Sequence, residues 1–92
     1  MKSVIVRYLG ASSNIARKRM ESITLDDDAT LEDLLNILVA KYGGPMKNLF
    51  YERSGELKPL VILLVNGKPV EGLATQLNNN DEVALTPFVA GG

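Results

Sequence analysis

The chain has 92 residues, 46% of them apolar and 23% charged, with 10 cations against 11 acids and a formal net charge of −1. That length holds one small core and excludes a multidomain enzyme, and the charge balance excludes a nucleic-acid binder driven by counterion release. Cysteine and histidine are both absent, which removes disulfides, thiolate nucleophiles, Ser/His/Asp relays and nearly every transition-metal site, so no metal site is expected. The longest apolar run, Leu60 to Val65, has six residues against the roughly 20 of a membrane-spanning helix, and no apolar segment follows a cationic start near Met1. A cytoplasmic protein with neither a membrane nor a nucleic-acid partner is expected. The charge is uneven along the chain: Met1 to Met20 carries five cations and no acid, and Glu21 to Asn36 carries six acids and no cation.

In Lys2 to Leu9, Val4, Val6 and Tyr8 alternate with Ser3, Ile5, Arg7 and Leu9, which predicts a strand with one buried face. Turn chemistry in Gly10 to Asn14 predicts a hairpin loop, and Lys18 to Leu25 a returning second strand. Thr30 is placed to cap a helix, with Asp33 where the dipole favours an anion. Leu31, Leu34, Leu35, Leu38, Val39 and Tyr42 then fall on one stripe, which predicts a core-facing helix covered by a sheet. Gly43-Gly44-Pro45 stops it. Met46 to Pro59 shows no pattern and is expected to be irregular. Leu60 to Val65, apolar on both sides, predicts a strand covered on most of its surface, and Asn66-Gly67 a tight hairpin into Lys68 to Glu71. Gly72 to Leu77 reads as a short turn or helix and Asn78 to Asn80 as a loop. Glu82 to Thr86 predicts a last strand with Val83 and Leu85 inward, ended by Pro87. The order β, β, α, β, short β, β specifies an α+β domain: a mixed sheet of four to five strands wrapped on one main helix.

Three features then act together: Val65-Asn66-Gly67-Lys68-Pro69-Val70, the strand Asp81-Glu82-Val83-Ala84-Leu85-Thr86, and the ending Pro87-Phe88-Val89-Ala90-Gly91-Gly92. With the element order, they resemble the β-grasp, ubiquitin-like sulfur-carrier family, above all the small subunit of molybdopterin synthase and the archaeal ubiquitin-like small modifiers. The resemblance covers nearly the whole chain apart from Gly44 to Pro59. It implies a β-grasp domain over residues 1–87 and a flexible tail over 88–92.

The tail has its own physical reading. Five extended residues reach roughly 17 Å, enough to carry a terminus into another protein's active site. Gly91 and Gly92 lack side chains and, with Ala90, can thread a narrow channel. The reactive group would be the α-carboxylate of Gly92, which is anionic and needs activation before any transfer. The resemblance implies that activation: an adenylating, E1-like enzyme attaches AMP from ATP to Gly92, and sulfur then replaces the nucleotide to leave a thiocarboxylate. No permanent cofactor is implied. The protein would not be an enzyme on its own but the sulfur-donating subunit of a molybdopterin synthase, with the large subunit as partner and a molybdenum or tungsten cofactor as the product.

The family's docking surface lies on the exposed sheet face, which implies Leu9, Pro69 and Thr86 here, with Pro87, Phe88 and Val89 where the tail begins. Two positions depart from the pattern. The synthase subunits usually carry an aromatic where Thr86 stands and a second proline where Phe88 stands, and the Phe88 ring offers a replacement anchor.

Two other functional readings stay open: a modifier joined through Gly92 to lysines of target proteins, and a ubiquitin-like module that binds without covalent chemistry. Other motifs read as structure. Asp26-Asp27-Asp28 lacks the glycine and the bidentate glutamate of a calcium loop, since Leu31 and Ile37 stand there, and is expected to be a solvated turn. Arg17-Lys18-Arg19 reads as a solvated edge, and Gly10-Ala11-Ser12-Ser13 lacks the spacing of a phosphate loop.

Overall fold

The strand signal at the amino terminus becomes β1 (Lys2–Tyr8), with Val4, Val6 and Tyr8 fully buried and the alternate residues open or half-buried, as the period of two requires. The structure, a computed structural model, describes residues 1–58, 61–70 and 72–87, with Pro87 described by its backbone alone. After β1 come α1 (Ala11–Ala16), β2 (Met20–Leu25), α2 (Leu31–Tyr42), α3 (Gly44–Phe50), β3 (Val61–Val65), β4 (Lys68–Pro69) and β5 (Glu82–Pro87). The strands form one mixed sheet in the order β2-β1-β5-β3-β4. β1 and β5 run parallel at its centre, and the β1–β2, β3–β4 and β3–β5 pairs are antiparallel.

Helix α2 starts where the sequence places it. Thr30 and Asp33 form a reciprocal capping box, the Thr30 side chain accepting from the Asp33 N–H and the Asp33 carboxylate from the Thr30 N–H. The next unpaired donors are met from the turn before β5, where Thr75 and Leu73 carbonyls accept from the N–H groups of Leu31 and Glu32. Leu31, Leu34, Leu35 and Leu38 are fully buried against the inner sheet residues Val4, Val6, Ile23, Leu25, Leu63, Val83 and Leu85. Gly43 closes the helix at φ 79°, a conformation that side-chain-bearing residues avoid. Asn66 (φ 53°) and Gly67 (φ 82°) both take the positive angles of the tight hairpin turn that their sequence predicts.

Four expectations need correction. The stretch Gly10 to Asn14 is not a plain hairpin loop, because residues 11–16 coil into α1 and bury Ser12 and Ala16. Six residues are too few for a helical period to register. Met46 to Pro59 is not irregular throughout: Met46 and Phe50, four apart on α3, point fully buried into the core. Pro45 is placed at the first turn of that helix, where proline is well suited, so with Gly44 it starts one helix while Gly43 ends another. The strand β3 is covered on one side only, with Leu63 buried but Ile62 40% exposed. Pro87 does not halt pairing: β5 runs through it, opposite Val61, at the terminal position where a missing N–H costs least. Pro59, Leu60 and Glu71, parts of the predicted strands or of the irregular connection, lie outside the described residues.

Lys2 turns inward at the start of β1, the end of the sheet nearest the loop before α2. Only 7% exposed, it donates from Nζ to the carbonyls of Asp27 (2.8 Å), Ala29 (3.1 Å) and Leu77. Replacing Phe50 by alanine tests the place of α3 in the core: a loss of about 3–5 kcal/mol in urea unfolding is expected, against well under 1 kcal/mol if that segment were a surface loop.

Candidate functional site

The outer sheet face is built by register. Pairings Arg7↔Met20, Arg7↔Ala84, Leu64↔Ala84 and Leu64↔Pro69 line up Met20, Arg7, Ala84, Leu64 and Pro69, one residue from each strand. The next row toward the end of β5 holds Thr86 opposite Ile62, and Leu9 follows β1 on the same side by alternation. Three of the residues singled out from sequence, Leu9, Pro69 and Thr86, therefore share one face. Met20 is 46%, Leu9 45% and Ile62 40% exposed, so the face is apolar and open at both flanks. An ion pair between Arg7 and Glu82 crosses it. Ile62, Leu64, Ala84 and Met20 were not singled out from sequence. The signal for the first two was the doubly apolar run, whose second side faces solvent and not the protein's own core.

The end of β5 is held from three directions. The buried Ser12 hydroxyl lies within donating distance of the carbonyls of Leu9 (2.9 Å) and Leu85 (3.2 Å), which share its one proton, the Leu9 N–H donates to the Leu85 carbonyl (3.2 Å), and Thr86 Oγ1 donates to the Ile62 carbonyl (3.2 Å). The start of β5 is clamped as firmly. The Asn66 amide donates to Asp81 and accepts from the Glu82 N–H, both at 2.9 Å, and the second Asp81 oxygen accepts from the Asn78 N–H at 2.7 Å. Phe88, Val89, Ala90, Gly91 and Gly92, the positions with the sharpest sequence reading, lie outside the described residues, as does the Pro87 side chain. Among the described residues no cluster of three or more carboxylates stands close enough to hold a metal ion, and no helix is long and apolar enough to cross a membrane.

A polar centre that sequence reasoning missed sits under the far end of β2. The Glu21 carboxylate, its side chain 10% exposed, accepts from the hydroxyls of Tyr8 and Tyr42 and from Lys41 Nζ at 2.7 Å, with Lys18 Nζ at 3.4 Å. Tyr8 and Tyr42 meet edge-to-face, ring centroids 6.0 Å apart. Burial alone would raise the Glu21 pKa, but the bonds from Lys41, Tyr42 and Tyr8 outweigh it and pull the value from 4.5 down to about 2. Burial, then the bonds to Glu21 and Tyr42, push the Tyr8 phenol far above its ordinary range. The only sequence hint was a lone acid at an inward position of a strand, a pattern too common to single out.

A family model described as the ThiS family matches residues 6–92. A relative from Haloferax volcanii, named small archaeal modifier protein 3, is 45% identical over 90 residues, covering 95% of this chain and 96% of its own. A protein of Archaeoglobus fulgidus, named provisionally a sulfur carrier protein, is 38% identical over 66 residues, 68% of this chain and 74% of its own. Among solved structures, the crystal structure of SAMP1 from Haloferax volcanii superposes with a TM-score of 0.86 at 29% identity, covering 98% of this chain and 99% of that one.

The Glu21 centre predicts acid sensitivity. A carboxylate whose folded pKa is depressed stabilises above its unfolded value, so that contribution is complete above pH 4.5 and fades as the pH falls toward about 2. Unfolding free energy should slope downward across that window in the native chain, and Glu21→Gln should flatten the slope while costing about 2 kcal/mol at pH 7. Beyond the same end of β1, Ser12→Ala should cost about 1 kcal/mol in the same measurement and leave the circular dichroism spectrum unchanged.

Proposed function

The chain belongs to the ThiS family and is a ubiquitin-like β-grasp protein of the sulfur-carrier and small-modifier type, and from that premise we propose that its working group is the α-carboxylate of Gly92. In this reading an E1-like enzyme joins the carboxylate to AMP from ATP, with pyrophosphate leaving, and sulfur displaces the AMP to give a thiocarboxylate on Gly92. The chain supplies no catalytic group to these steps. It presents a terminus. The acceptor is the pterin precursor bound by a molybdopterin synthase large subunit, into which Ala90 and Gly91 thread while Leu9, Pro69, Thr86, Pro87, Phe88 and Val89 dock against the partner.

The observation that carries this reading is the anchoring of β5. A tail can place a reacting atom only if its root is fixed, and Ser12, Leu9 and Asn66 tie both ends of the central strand to its neighbours. Beside that root lies an apolar face with exposed Leu9 and Ile62, suited to hold a partner while the tail enters it. One observation favours a second reading, conjugation of Gly92 to lysines of target proteins: the relative at 45% identity is named a modifier. Both share the adenylated carboxylate and differ in the nucleophile that follows.

Mass spectrometry of the protein from its native cells, with its own carboxy terminus, separates them. One oxygen replaced by sulfur at Gly92 is expected for the carrier, and Gly92 found on foreign lysine side chains for the modifier. Deleting Gly91-Gly92 should abolish either activity with the fold intact, and an uncleaved tag after Gly92 should do the same. Full function in either variant would overturn the proposal and leave the non-covalent module.

A further inference from the structure

Beyond the tail and the outer sheet face, a groove of about 470 Å³ runs along the free edge of the sheet, lined by Leu25, Asp26, Asp28, Asp33, Asn36 and Ile37 among others. One wall is the carboxy-terminal end of β2 with the loop after it. The other is the stripe Asp33, Asn36 and Ile37 on α2, at helical spacing of three and four. No described strand lies beyond β2, which stands last in the sheet order. The Tyr8 N–H donates to the Arg19 carbonyl, so the hydrogen-bonded pairs with β1 fall at Arg19, Glu21, Ile23 and Leu25. The backbone N–H and C=O groups of Ser22 and Thr24 therefore point outward, in position to pair with an added strand.

The chemistry of the groove selects what that strand would be. Ile37, 38% exposed, stands over the buried Leu25 and Ala29 and makes an apolar floor. Asp26, Asp28 and Asp33 rim it, all exposed, with no cation among the lining residues. Asp27 is occupied by the amino group of Met1 at 2.8 Å. At the other end of the same edge, Glu21 is neutralised by Lys41 and Lys18. The field of the groove is thus negative where it is open and compensated where it closes.

We propose that this edge docks an extended partner segment with an apolar residue flanked by lysine or arginine, added as a sixth strand against β2. Its backbone pairs with Ser22 and Thr24, its apolar side chain lies on Ile37, and its cations meet Asp26, Asp28 and Asp33. The surface is separate from the outer face and lies at the opposite end of the sheet from the end of β5, so it would serve a partner held while Gly92 is in use elsewhere. It does not depend on the chemistry assigned to Gly92.

The test uses the full chain with Gly91-Gly92 deleted, titrated by NMR with a capped peptide of sequence Arg-Lys-Val-Ile-Val-Arg-Lys and with a control in which every cation is glutamate. Expected are shifts of the Ser22, Thr24, Asp26, Asn36 and Ile37 amides with the basic peptide only, and slowed exchange of the Ser22 and Thr24 amides. The double change Asp26→Asn and Asp28→Asn, which leaves the Thr30 and Asp33 capping box intact, should raise Kd about three- to tenfold, and added salt should act in the same direction. Ile37→Arg should remove binding while the amide spectrum stays folded. No shift at millimolar peptide, shifts confined to the outer face around Ile62 and Leu64, or binding unchanged in the Asp26/Asp28 variant would each overturn the proposal.

Discussion

The parallel pairing of β1 with β5 is the constraint on which the rest of the structure depends. It joins the first strand to the last in the middle of the sheet, so the chain after β2 must leave the sheet and return to it on the far side of β5 as β3. The intervening chain holds α2 and α3, and the buried side of each goes to the inner face, where Val4, Val6, Val83 and Leu85 form the floor of the core. With the core helices committed to one side, no described helix covers the other side of the five strands. Ile62, Leu64 and Ala84 stand on that side, outside the core, and the same pairing brings the end of β5 alongside them.

Two charged side chains under the sheet finish the core at opposite ends. Glu21 gathers hydroxyls and ammonium groups from β1 and α2, and Lys2 gathers carbonyls from the loop before α2 and the segment before β5. Each would be costly to bury alone, and each is held because its bonds fall on several elements at once. They fix how α2 lies against the β1–β2 hairpin, and so the width of the groove beside β2.

Much of this was legible in the sequence wherever local chemistry and global fold agreed. The capping residues Thr30 and Asp33, the leucine stripe, Asn66-Gly67 and the alternation of β1 and β5 all specify their elements from a few adjacent residues, and the structure has them there. Two short helices were missed because their signals are single pairs, Ser12 with Ala16 and Met46 with Phe50, below the length at which a period can be told from chance. The open side of β3 was misread for a different reason: an apolar strand face looks the same in sequence whether it is covered by its own chain or by another. For the candidate site, Leu9, Pro69 and Thr86 were named by the family resemblance and the strand register puts them on one face, while Ser12 and Glu21 act through distant partners that no local window contains.

The burial of Lys2 bears on the second reading proposed for Gly92, in which the activated carboxylate ends on lysine amines. An activated carboxyl group approaching from solvent finds Lys18, Lys41, Lys47 and Lys68 on the surface, but the Lys2 nitrogen is enclosed and its three bonds to main-chain oxygens would have to break before it could react. Those bonds also close the end of the core, so acylating Lys2 and unfolding that corner would be one event. In the folded protein this amine is a structural strut, enclosed away from the chemistry proposed for Gly92.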